Sequence, residues 1–175
     1  MNTVFLDIDG VLQPYDSEYR FYSTNEKLIE ELSNKYNTDY SIYSWFDVAA
    51  VYYDWDEKAI ARLRYILDTT NSNIIMSSNW KSDRYPNKMK DLLKIHDLDK
   101  YYFADNKTIF ETCSLPKLRY LEINDSLKNY DIKNFVVLDD MKGLYDYFPD
   151  NSVITNNIIS ISDMNKCIKI LKRLR

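Results

Sequence analysis

Residues 3–12 read Thr-Val-Phe-Leu-Asp-Ile-Asp-Gly-Val-Leu, an apolar run that breaks off in two aspartates one residue apart and then a glycine. A short apolar stretch ending in carboxylates has the pattern of a buried parallel strand whose carboxyl end opens into a site. Ligands of open α/β sheets gather at those ends. Gly10, one of only two glycines in the chain, predicts a sharp turn that keeps side chains clear of the two carboxylates. Asp7 and Asp9 together have the chemistry to hold a divalent cation while one carboxylate oxygen stays free to attack phosphorus. Calcium loops also open Asp-x-Asp, but their glycine comes sixth and a helix precedes them. Here the glycine is fourth and a strand-like run precedes it.

The chain repeats this device twice. Asn-Ile-Ile-Met at 73–76 ends in Ser77, Ser78, Asn79 and Trp80, and Phe-Val-Val-Leu at 135–138 ends in Asp139 and Asp140. Between them, Ser114 reads as a helix cap and Pro116 as a first-turn residue, with Lys117 directly after it. Strands are predicted at 2–6, 73–77, 100–104, 134–138 and 152–155. Helical periodicity separates them. At 56–69, Ile60, Leu63, Ile66 and Leu67 share a face, and from Pro86 onward Met89, Leu92 and Leu93 do so. After Ser162, read as a cap, Met164, Cys167, Ile168 and Leu171 form the last stripe. Alternation of this kind predicts an α/β fold with a parallel sheet covered on both faces.

The order Asp-x-Asp, Ser, Lys, Asp-Asp resembles the haloacid dehalogenase (HAD) superfamily of phosphatases and phosphotransferases. The run Ser-Ser-Asn-Trp-Lys, the Leu-Asp-Asp and the final helix are similar to the small HAD domains described from Swiss-army-knife RNA-repair proteins. Response-regulator receivers use related residues, but their acidic pair comes first and their lysine last, so the order excludes them. The resemblance implies a three-layer, Rossmann-like sheet over residues 1–175 as a single domain, with a small cap insertion after the first strand. It implies Asp7 as the nucleophile that becomes an aspartyl-phosphate, and Asp9 as the acid that protonates the leaving group and then activates water. Ser77 would hydrogen-bond the phosphoryl oxygens, with Ser78 as the alternative if the strand ends one residue later. Lys117 would oppose the developing charge. Mg²⁺ would be held by the Asp7 side chain, the Asp9 carbonyl and Asp140, with Asp139 orienting that shell. Ser78, Asn79 and Lys81 are the substrate-binding candidates.

The stretch 13–54 lies outside the minimal pattern and is the expected cap. Ser23, Thr24, Asn25 and Glu26 offer a capping box for a helix whose inward residues are Leu28, Ile29 and Leu32. A dense aromatic run follows, from Tyr36 to Trp55. Most of these rings are expected to pack the insertion onto the core, leaving one or two to stack on a base or sugar. Residues 1–60 hold 12 of the chain's 27 acidic residues but 4 of its 23 basic ones. Lys81, Arg84, Lys88, Lys90, Lys94 and Lys100 form a locally basic segment, read as a solvated helix face rather than a nucleic-acid groove. Cys113 and Cys167 give no disulfide framework and are expected reduced. No apolar run approaches membrane-spanning length and no signal peptide is evident, so a cytoplasmic protein, monomeric or weakly dimeric, is expected. His96 is expected at the surface. The leading function is a Mg²⁺-dependent phosphomonoester hydrolase acting on a small phosphorylated substrate. A nucleic-acid end-processing phosphatase and a catalytically quiet phosphate-binding module are the alternatives, nucleic acid being disfavoured by the acidic insertion.

Overall fold

Alternation along the strands divides the core in two. Val4, Leu6, Ile74, Met76, Val136 and Leu138 point into one apolar cluster, while Phe5, Ile75 and Val137 point into another on the opposite face of the sheet. These residues belong to a five-stranded, all-parallel sheet of order β3-β2-β1-β4-β5. The strands are β1 (Asn2–Leu6), β2 (Ser72–Met76), β3 (Tyr102–Asp105), β4 (Asn134–Asp139) and β5 (Ser152–Ile154). The computed structural model describes residues 1–23, 25–107 and 115–173. Its helices are α1 (Tyr19–Tyr22), α2 (Leu28–Tyr36), α3 (Trp45–Tyr53), α4 (Glu57–Thr70), α5 (Lys88–Lys94), α6 (Pro116–Asn129) and α7 (Ile161–Leu171). The three-layer α/β arrangement expected from the alternation is the one observed. No helix among the described residues is long and apolar enough to cross a membrane.

Helix α6 covers the face of Phe5, Ile75 and Val137 with Ile123, and Tyr120 and Leu127 pack at the margin. The larger cluster takes Ala59, Ile60, Leu63, Ile66 and Leu67 from α4 and Cys167, Ile170 and Leu171 from α7. Burial pushes the Cys167 thiol well above the usual range, so it is an inert core group. Cys113 and the expected cap Ser114 lie outside the described residues. Pro116 does open α6, where its missing N–H costs no intrahelical bond.

Two helix starts differ from expectation. The cap of α7 is Ser160, not Ser162: its hydroxyl accepts from Asp163 N at 3.1 Å, and Asp163 accepts from Ser160 N at 3.1 Å, a reciprocal box. Helix α2 begins at Leu28 with no side-chain cap. Asn25 Oδ1 instead accepts from Lys27 N at 3.0 Å, forming a local turn just ahead of the helix. Thr24, the middle of the expected box, lies outside the described residues.

The 13–54 stretch contributes α1, α2, a 3₁₀ turn at Tyr40–Ile42 and α3. Leu28, Leu32, Tyr40, Tyr43, Val48, Ala49 and Val51 join the larger apolar cluster. The Tyr40 hydroxyl donates to Asp91 O at 2.8 Å, the Tyr43 hydroxyl to Asp91 Oδ2 at 2.5 Å, and Lys88 pairs with Asp47 at 2.8 Å. These contacts fasten the segment to α5. Tyr19, Phe21, Tyr22 and Phe46 remain exposed.

Candidate active site

The register that sorts the core also builds the site. Leu6 lies opposite Met76 on one side and Leu138 on the other. One residue further, Asp7 N donates to Leu138 O at 3.0 Å, and Ser77 N to Leu6 O at 2.8 Å. Asp7, Ser77 and Asp139 therefore follow Phe5, Ile75 and Val137 by two residues and share their face, the one under α6. On the outer neighbour, Asn106 N donates to Met76 O at 2.9 Å. The result is a row of polar side chains across four adjacent strands: Asn106, Ser77, Asp7, Asp139.

Helix α6 meets this row with Arg119, Glu122 and Ser126, spaced to share one side of the helix. All three are buried. Arg119 Nη1 lies 3.4 Å from Asp7 Oδ1 and 3.6 Å from Asp139 Oδ2. Ser126 Oγ donates to Asn106 Oδ1 at 2.7 Å, and Asn106 Nδ2 donates to Ser77 Oγ at 3.0 Å. The Ser77 hydroxyl thus accepts from Asn106 and keeps its own proton to donate.

Asp7, Asp139 and Asp140 each bring a carboxylate oxygen within 4.8 Å of the others. Burial, against the opposing pull of Arg119 and a Ser78 hydrogen bond, raises the Asp7 pKa to about 6. Burial and then repulsion from Asp7 push Asp139 well above the usual carboxylate range. Asp139 Oδ1 accepts from Met141 N at 2.9 Å, but its Oδ2 is buried without a hydrogen bond. Like charges crowded together around an unsatisfied buried oxygen suit a hard divalent cation such as Mg²⁺. Tyr15, from the start of the 13–54 stretch, donates its hydroxyl to Asp140. Burial and the neighbouring carboxylates keep that phenol protonated.

Gly10 is required at its position. Its φ is +70°, and a Cβ there would collide with the Tyr15 hydroxyl and lie 2.8 Å from Asp140 Cβ. The turn it makes carries Asp9 out of the carboxylate triangle. Asp9 Oδ2 accepts from Trp80 Nε1 at 2.9 Å and Oδ1 from Gln13 Nε2 at 3.2 Å. Partial burial raises its pKa, and the Trp80 hydrogen bond opposes that.

The other candidates sit further out. Lys117 and Asn79 are exposed. Among the described residues, the cation paired with Asp7 is Arg119, one of two cations near the start of α6 that point to different sides. Lys81 Nζ donates to Glu122 Oε2 at 3.0 Å and to Asn106 O at 3.3 Å, so its charge is already engaged. Ser77 lies in the row, and Ser78, the residue after it, is buried and favours the ionised form of Asp7. Sequence reasoning missed Arg119, Asn106, Trp80, Gln13 and Tyr15. Only Arg119 left a usable signal: the 119, 122–123, 126 spacing marks the buried stripe of α6, and 117 is off it.

No curated protein and no solved structure matches the chain. The family model described as the HAD domain in Swiss Army Knife RNA repair proteins matches residues 3–165, a span that begins at β1 and ends inside α7. That span takes in every group of the row and the helix that faces it, and the chain belongs to this HAD family.

Proposed function

We propose that the protein is a Mg²⁺-dependent phosphomonoester hydrolase that works through an aspartyl-phosphate on Asp7. The observation that carries this reading is the row itself: a buried carboxylate flanked by a hydroxyl donor and faced by a buried guanidinium. A HAD domain suggests phosphatase-type chemistry. Asp7 Oδ attacks phosphorus as the bond to the leaving oxygen breaks, and Asp9 gives that oxygen its proton. Asp9, now a carboxylate, takes a proton from water as the water oxygen attacks the same phosphorus. The bond to Asp7 then breaks, releasing phosphate and restoring the carboxylate. Ser77 donates to a phosphoryl oxygen, and Arg119 sets a fixed positive charge beside the reacting centre. Asp7, Asp140 and the Asp9 carbonyl would hold Mg²⁺, with the nearby Asp139 orienting that shell, and the ion would supply charge neutralisation between carboxylate and phosphate. Tyr15 keeps Asp140 oriented. Segment 13–54 would serve as the cap, its exposed rings Tyr19, Phe21 and Tyr22 lying beyond Tyr15.

The direct test is phosphate release from p-nitrophenyl phosphate with Mg²⁺, and its loss with EDTA. A second readout needs no substrate. Carboxylates with raised folded pKa values bind extra protons in the folded state, so metal-free stability falls as pH rises through the window from 3.8 to about 6. Mg²⁺ should then raise Tm above that window and do little below it. At a hundredfold excess over Kd the gain is about 2.7 kcal/mol, roughly 5–10 °C for a chain of this length. Asp140→Ala should weaken this shift more than Asp139→Ala. A Tm that ignores Mg²⁺, or the reverse ranking, contradicts the ligand assignment.

The family description favours a second reading, processing of phosphorylated RNA ends. A substrate panel read as kcat/KM at two salt concentrations separates the two. The acidic 13–54 segment should disfavour phosphorylated oligonucleotides against nucleoside monophosphates, and salt should relieve that bias. An oligonucleotide preferred at low salt and losing ground as salt rises would install the end-processing reading.

A further inference from the structure

We propose that Trp80 is a positioning residue for Asp9, holding the acid on the line to the leaving group; the inference rests on the hydrolase reading above. Asp9 stands on an exposed turn, where a carboxylate ordinarily samples several rotamers. Two donors from different parts of the chain restrict it, and the shorter bond is that of Trp80, at 2.9 Å. The indole is itself anchored. Its ring lies against Trp55 with centroids 6.2 Å apart, and buried Trp55 stacks on His96 at 5.5 Å and 17°. His96 Nε2 is 2.7 Å from Val51 O, so this histidine is half-buried in a stack and not the surface residue its charged surroundings suggest. Trp80 also sits two residues after Ser78, and its backbone N–H donates to Ser78 Oγ at 3.3 Å. One turn therefore carries the Ser78 hydroxyl and, two residues on, the indole bonded to Asp9.

The choice of an indole matters chemically. Its N–H donates only and neither accepts nor releases a proton in the working range. It can therefore orient Asp9 without intercepting the proton that Asp9 gives to the leaving oxygen. A phenol or imidazole in its place would compete for that proton.

The test is leaving-group dependence. Nitrophenolate departs without protonation, whereas the alkoxide of glycerol 2-phosphate needs it, so misplacing the acid penalises the second substrate selectively. For Trp80→Phe, the ratio of kcat/KM on glycerol 2-phosphate to kcat/KM on p-nitrophenyl phosphate, which reads phosphoryl transfer to Asp7 and not the later hydrolysis that both esters share, should fall about tenfold, within the roughly 10²–10⁴-fold reach of acid–base catalysis. Adding Trp80→Phe to Asp9→Asn should shift the ratio no further than Asp9→Asn alone. Gln13→Leu, which removes the longer bond, should move the ratio the same way by less, and it serves if Trp80→Phe does not fold. An equal loss of kcat/KM on both substrates, or an unchanged ratio in the folded variant, overturns the assignment. Failure of the hydrolase reading looks different: the wild type releases no phosphate from either ester, or Asp7→Asn stays active.

Discussion

Asp7→Asn should fold, match or exceed the wild type in metal-free Tm, and lose phosphate release on the order of 10⁴-fold or more. The two halves of this expectation have one origin. The Asp7 carboxyl resists ionisation because burial outweighs the stabilisation from Arg119 and Ser78. A neutral amide of the same shape removes that cost and the repulsion with Asp139 and Asp140. An amide cannot form the acyl-phosphate, so activity goes while stability stays. The measurement is a paired one, differential scanning of the EDTA-treated protein and an initial-rate assay of the same preparation. A variant that keeps more than a trace of activity refutes the covalent route. A variant that loses activity by unfolding would show instead that the Asp7–Arg119 pair holds the domain together.

Arg119→Ala should be damaging in both respects. It leaves Asp7 and Asp139 buried without the cation that lies 3.4 Å from one and 3.6 Å from the other. Breaking a buried pair from one side costs about 3–5 kcal/mol, roughly 10 °C in Tm at this chain length. Proton uptake by the carboxylates should reduce the loss as pH falls, so the Tm deficit is largest near neutrality. Phosphate release should fall about 10²–10³-fold, the size seen when one fixed stabiliser of developing charge is removed. Arg119→Lys should recover part of the stability, since an ammonium can restore a positive charge near the two carboxylates that Arg119 Nη1 faces, without the planar guanidinium geometry. Lys117→Ala, on an exposed side of the same helix, should cost less in both assays. The opposite ranking would return the role to Lys117.

The contrast between those two residues marks where the sequence was readable. Strands announce themselves by apolar runs, and a period of two leaves each residue only two faces, so Asp7, Ser77 and Asp139 are legible in the sequence as strand-end groups. Helix phase has no such binary choice. Lys117 and Arg119 differ by about 200° around α6, and which one turns inward is decided by the packing of Ile123 against Phe5, Ile75 and Val137. The cap of α7 slipped for a related reason, because Ser160 and Ser162 both precede an apolar stripe and only Ser160 has Asp163 three residues on. The indole on Asp9 left no trace in the sequence, since Trp80 and Asp9 are separated by 71 positions and meet through the turns after β1 and β2.

The row of Asn106, Ser77, Asp7 and Asp139 also implies what this fold tolerates when its chain length changes. Each member is placed by strand pairing, not by the loop that follows it. A one-residue deletion inside β1, β2 or β4 would turn that member's side chain to the opposite face of the sheet. An insertion of many residues after Gln13 leaves the pairing untouched, because the stretch from there to α4 contributes no strand to the sheet. Strand interiors are therefore length-locked while the stretch behind the first turn is length-free. Chimeras that exchange this stretch for another of different size should keep the strand register of the row, but they lose the Tyr15 hydroxyl on Asp140 and the apolar contacts of Leu28, Leu32, Tyr40 and Val48 with the core unless the new stretch supplies them.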